Sequence, residues 1–129
     1  MLKTNIAFRN SLANQLNNLF TGGTIEIRTG AQPATADTAA SGTLLATIPL
    51  PVSPFAAASG GAVAKSGAWL VVAIATGTSG YARFKNVAGT MAFDVTVAET
   101  GGDLTIDDDA IVSGGVVLVT AFTYTFPTL

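Results

Sequence analysis

Near the N-terminus the apolar positions recur with a helical period. Phe8, Leu12, Leu16, Leu19 and Phe20 are spaced by four, four, three and one, which puts them on one stripe of an α-helix. The other face reads Asn10, Asn14, Asn17 and Asn18. Asn is a mediocre helix former, so this helix is expected to depend on docking more than on propensity. Thr4 or Asn5 supplies the N-cap and Gly22-Gly23 the stop, giving a helical segment within 1–22. The stripe alone leaves open whether it packs on its own domain or on a neighbour.

From residue 23 the period drops to two. Thr24-Ile25-Glu26-Ile27-Arg28 alternates polar and apolar, as a strand with one wet face does. Gly30 to Gly42 is a polar loop of small residues, long enough to suggest partner contact or mobility. Thr43 to Leu50 reads as a second strand. Pro49, Pro51 and Pro54 then stop the ladder and place this stretch at a sheet edge or in an extended arm. Ala56 to Gly61 reads as a flexible joint. Ala68 to Ala75 is expected to be a buried strand, Gly77 to Gly80 a turn, and Tyr81 to Lys85 an alternating strand. Met91, Phe93, Val95 and Val97 share one side of the next strand. Leu104 to Ile106 is short, Asp107-Asp108-Asp109 turns, and Val116 to Phe126 is the longest strand. About seven or eight strands with frequent turns predict a mainly β protein, an antiparallel sandwich or jelly-roll-like barrel, carrying an N-terminal amphipathic helix. The chain is expected to be one domain over 1–129, with the β part at 23–129.

Composition narrows the chemistry. The 129 residues include no Cys and no His, the side chains behind most nucleophiles, transition-metal sites and neutral-pH bases. Hydrophobic residues make up 49% and charged ones 11%, with mean hydropathy +0.51, the opposite of the balance found in disorder, so the bulk of the chain is expected to be folded. The longest purely apolar run, Ala68 to Ala75, is far below the roughly 18 to 20 residues of a spanning helix. The opening MLKTNIAFRN fits a secretory signal badly, being interrupted by Asn and Arg. Neither membrane nor nucleic acid is an expected partner, since net charge is −2 and the six cations are scattered. Only Arg83 and Lys85 lie close together; on a strand they share a face, expected to be solvated. The surplus apolar surface points to contact with other proteins and to a homo-oligomer, a trimer being favoured.

Candidate sites are few. Glu99, Asp103, Asp107, Asp108 and Asp109 are the densest acidic set, but the order and spacing of an EF-hand are missing, and an Asp-rich turn capping backbone N–H groups explains them. Asp94 lies between Phe93 and Val95 and faces away from the core side. The serines sit mostly beside Gly, Pro or Ala, without a G-x-S-x-G elbow or a His base. No catalytic, metal or cofactor site is therefore expected. Trp69 opens the most apolar strand and reads first as a core anchor.

The pattern of strands and turns in Ile25 to Leu50, Ala75 to Val97 and Gly102 to Thr125 resembles that of small β-rich virion proteins of tailed bacteriophages. The positions carrying it, Gly30, Pro33, Leu44, Leu45, Gly77, Arg83, Asp103, Leu104 and Gly114, are turn-forming, apolar or ion-pairing. The resemblance implies a non-enzymatic structural protein of the phage particle, foremost a capsid decoration (cement) protein contacting the major capsid protein, located in the virion after synthesis in the host cytoplasm. A tail, baseplate or fibre-base component is the alternative, and a glycan-binding adhesin a third. The expected interface residues are Phe8, Leu12, Leu16, Leu19 and Phe20 of the helix, Pro49, Pro51, Pro54 and Phe55 of the arm, and Trp69.

Overall fold

The computed structural model describes residues 1–127. Asn5 starts the helix α1 (Ile6–Leu19): its side-chain oxygen accepts the N–H of Phe8 at 2.9 Å, satisfying one of the donors that a helix leaves open at its first turn. After Phe20 the chain turns through Gly22 (φ 66°). It then passes so close to the next strands that a Cβ on Gly23 would lie 2.2 Å from the Lys85 carbonyl oxygen.

Among the described residues nine strands follow: β1 (Thr24–Thr29), β2 (Leu44–Pro49), β3 (Ala62–Ala64), β4 (Leu70–Val72), β5 (Gly77–Lys85), β6 (Ala92–Ala98), β7 (Leu104–Ile106), β8 (Ala110–Ile111) and β9 (Val116–Thr125). The protein is mainly β, with one N-terminal helix. The main sheet runs β2-β1-β5-β6-β7-β9-β3 and curls into a half-barrel. β8 pairs with the start of β5, and β4 pairs with the start of β9. The curl brings β4 back toward β2, where the N–H of Ile74 donates to the Leu45 carbonyl at 2.8 Å. That bond spans the open side of the half-barrel and covers part of the free edge of β2, which Pro49 ends.

Among the described residues all pairings are antiparallel except β6 with β7, where Val97 and Ala98 run parallel to Leu104 and Thr105. Parallel neighbours ordinarily need a long crossover. Here a tight return suffices because Gly102 has no Cβ to strike Ala98 N, 2.7 Å from where one would sit. Thr96 and Asp103 brace the return with reciprocal bonds of 3.2 and 3.0 Å between side chains and backbone N–H groups.

Three expectations need correction. Ala68 to Ala75 is not a strand buried on both faces: only Leu70–Val72 pairs, Trp69 and Ala73 point inward, and Leu70, Val72 and Ile74 are exposed. Its apolar run lies at the rim of the half-barrel, so one face meets water. Gly77 to Gly80 is not a turn but the beginning of β5. Its glycines serve close approach, since a Cβ on Gly80 would fall 1.9 Å from the Gly30 carbonyl oxygen. Arg83 does not lie on a solvated face; it is buried with Asp94 beneath the 30–42 loop.

The concave side of the sheet holds an aromatic core. Phe84 and Phe93, cross-strand partners on β5 and β6, stack with centroids 4.4 Å apart, and Phe122 lies 4.8 Å from Phe84. Trp69 meets Phe55 and Phe84 edge-on at 5.6 and 5.9 Å. Phe20 joins the helix to this cluster through an edge contact with Phe93 at 5.2 Å.

Candidate interaction surface

α1 packs on its own domain, and the face that does so combines two halves of the sequence pattern. Ala13, Leu16 and Phe20 are buried in the core. Beside them Asn10, Asn14 and Asn17, at i, i+4 and i+7, form a row of acceptors: their Oδ1 atoms take the backbone N–H groups of Gly61 (2.8 Å), Ala58 (2.8 Å) and Phe55 (3.0 Å). The segment 55–61 lies mostly outside the ladder, so its N–H groups need partners that a neighbouring strand would otherwise supply. Gly61 also makes room for the Arg9 side chain, 3.2 Å from where its Cβ would be. The joint expected over Ala56 to Gly61 is thus tethered to the helix at three points. The Asn face expected to oppose the docking stripe is itself part of the docking face.

This rotation of the helix leaves half of the apolar stripe uncovered. Phe8, Leu12 and Leu19 are 53, 39 and 44% exposed, beside exposed Leu2 and Ile6. Leu2, Phe8 and Leu12 face Phe126 and Pro127 across an almost wholly apolar groove of about 240 Å³. The groove continues the aromatic core outward, Phe93 to Tyr124 at 5.3 Å and Tyr124 to Phe126 at 5.2 Å.

Of the ten interface residues expected from sequence, Leu16, Phe20, Pro54, Phe55 and Trp69 are buried in the chain's own core, Pro51 is half-buried, and Phe8, Leu12, Leu19 and Pro49 lie at the surface. The helix is therefore accessible only along its outer edge. The arm is reachable only around Pro49 and the exposed Val52, because Pro54 and Phe55 anchor it inward.

The convex face of the sheet carries the charges. Arg83 lies opposite Asp94 in register and binds it through Nε and Nη2 at 2.7 and 2.9 Å, both side chains nearly buried. Those hydrogen bonds raise the guanidinium pKa further above its ordinary value, outweighing the opposite pull of burial. Glu26 on β1 serves two cations, Arg28 at 3.3 Å and Lys85 at 3.2 Å. The 31–42 loop roofs this face. It is pinned by Tyr81, whose hydroxyl donates to the Ser41 carbonyl (2.7 Å) and accepts the Ser41 N–H (2.9 Å). Between roof and sheet lies a recess of about 580 Å³ lined by Arg28, Arg83, Lys85, Asp37 and small loop residues.

In the acidic region, Asp107 accepts the N–H groups of Asp108 and Leu118, Asp108 that of Ala110, and Glu99 that of Asp109. Glu99, Asp108 and Asp109 bring one oxygen each to within 4.8 Å of one another, because the curl of the sheet returns the 107–109 turn beside the end of β6.

Sequence reasoning missed the Asn row and the Tyr81–Ser41 clasp. The first had a signal, three Asn at helical spacing; the second joins residues forty apart and had none. No protein-family model matches the chain, and neither a curated protein nor a solved structure matches it.

Proposed function

We propose that this protein is a non-enzymatic structural component that works by protein–protein contact through the outer edge of α1, and that its setting is the shell of a bacteriophage particle as a decoration protein. The supporting observation is the uncovered half-stripe, Phe8, Leu12 and Leu19, adjoining the Leu2–Phe126 groove. Contiguous exposed apolar surface of this kind is a mark of interaction sites. Its first occupant is a second copy of this chain. α1 carries a single charge, Arg9, which donates to the Thr4 carbonyl at 2.6 Å. Two such helices can therefore meet over Asn, Gln and Ser flanks with little like-charge repulsion. An oligomer formed this way would leave its charged convex faces uncovered and add contact area to a shell without chemistry.

The test is sedimentation equilibrium on the wild type and on Leu12→Gln/Leu19→Gln, with circular dichroism to verify the fold. A wild-type oligomer that the folded variant loses supports the reading, as does loss of variant incorporation into particles. A wild type that stays monomeric at high micromolar concentration, with no binding to shells, overturns it.

A further inference from the structure

We propose that the recess between the convex face of β1 and β5 and the 31–42 loop binds a phosphate-type oxyanion, free or as a monoester. The site is independent of the α1 surface. Three cations, Arg28, Arg83 and Lys85, face two carboxylates, Glu26 and Asp94, so the sheet side of the recess has an excess positive charge. Those charges are unequally satisfied. Asp94 holds Arg83 at 2.7 and 2.9 Å, the ordinary range of a charge-assisted bond. Arg28 and Lys85 must share Glu26 at 3.2 to 3.4 Å and are held loosely. Arg83 also retains Nη1, which makes no hydrogen bond among the described residues.

The cavity is held open. Tyr81 clasps Ser41 on one side of the roof, Gly80 packs directly under Gly30, and Asn86 secures the 86–91 turn on the other side by accepting from Thr90 and Met91. Arg83 cannot relax out of the site, because Asp94 fixes its guanidinium plane. Arg28, two residues along β1 from Glu26, and Lys85, diagonal to Glu26 on β5, both line the recess with Arg83, so an anion between them is reached from both strands. Two guanidinium groups and an ammonium offer more donors than the two oxygens of a carboxylate can use, whereas the oxygens of a phosphate match them. Asp37 is the one acid on the roof; it lines the recess but is exposed, so solvent screens it. A bound phosphate would accept from the donors that Glu26 and Asp94 leave free and tie the loop to the sheet.

The experiment is an amide-shift titration of the full ¹⁵N-labelled chain at low ionic strength with inorganic phosphate, phenyl phosphate and acetate. Saturable shifts at Arg28, Lys85 and residues 36–40 are expected with phosphate. Arg28→Gln and Lys85→Gln should each weaken binding about tenfold. Glu26→Gln and Asp37→Asn, which remove competing carboxylates, should tighten it, so the proposal stays testable should Arg28→Gln loosen the fold. Phenyl phosphate binding as well as phosphate identifies an ester as ligand, and exclusion of the phenyl group identifies the free ion. Absence of saturable shifts, shifts elsewhere, indifference to all four substitutions, or equal affinity for acetate would overturn the proposal.

Discussion

Arg83 on β5 and Asp94 on β6 stand directly opposite each other, joined by two bonds of 2.7 and 2.9 Å and withdrawn from solvent under the 30–42 loop. An ion pair in that position is held by the loss that would follow if either partner were left alone. Whether it improves on an apolar pair is a separate question. Asp94→Ala should cost about 3 kcal/mol by urea denaturation, because it strands a buried guanidinium. The double variant Arg83→Leu/Asp94→Leu should recover most of that. A double variant as unstable as the single one would show the pair to be net stabilising.

The Asn row should be separable into graded contributions. Asn17 serves a partly buried N–H and Asn14 an exposed one. Asn17→Ala should therefore cost about 1 to 2 kcal/mol and Asn14→Ala less than about 1, water replacing the lost acceptor in the second case. Hydrogen exchange reads the same order site by site: the Phe55 amide should lose more protection than the Ala58 amide.

The apolar stripe divides in the same way. Leu16→Asp should unfold the domain, since it drives a charge into the core, while Leu12→Asp should leave the β-sheet spectrum nearly unchanged. Equal tolerance of both would mean that α1 is not docked as described.

Two glycines test close approach against backbone strain. A Cβ at Gly80 would overlap the Gly30 carbonyl, whereas one at Gly89 meets nothing within 4 Å but requires φ near 73°. Gly80→Ala should destabilise by several kcal/mol or open the loop, and Gly89→Ala by only about 1 kcal/mol. Chemical denaturation of the two variants side by side gives the comparison.

At the acidic turn, Glu99 lies among like charges yet accepts the Asp109 N–H. Glu99→Gln keeps an acceptor there and removes the repulsion. It should raise the melting temperature slightly at low salt, with the gain vanishing near 1 M salt, where the Debye length is about 3 Å. Because these carboxylates already cap backbone donors, chelator should leave the wild-type melting temperature unchanged. A fall restored by Ca²⁺ alone would reassign the cluster.

Much of the architecture follows from local pattern. The period-two alternation of Thr24 to Arg28 and of Phe93 to Val97, the Asn5 cap, the stop after Phe20 and the Asp107 turn each follow from side chains a few residues apart, so the sequence itself contains the whole interaction. The same holds for the β class and for Pro49 as an edge. Three features required the assembled molecule. α1 offers both an apolar stripe and an Asn row, and which of them docks depends on the 55–61 backbone, whose free N–H groups and adjoining core draw the helix toward the boundary between the two. Arg83 reads as a solvated strand residue until a loop more than forty positions earlier closes over it and Asp94 is brought opposite. The parallel β6–β7 pair contradicts the usual rule for short connections, and it stands only because Gly102 lets the return lie against β6. In each case the deciding atoms are far apart along the chain or compete for the same partner, and no periodicity records the outcome of such a competition.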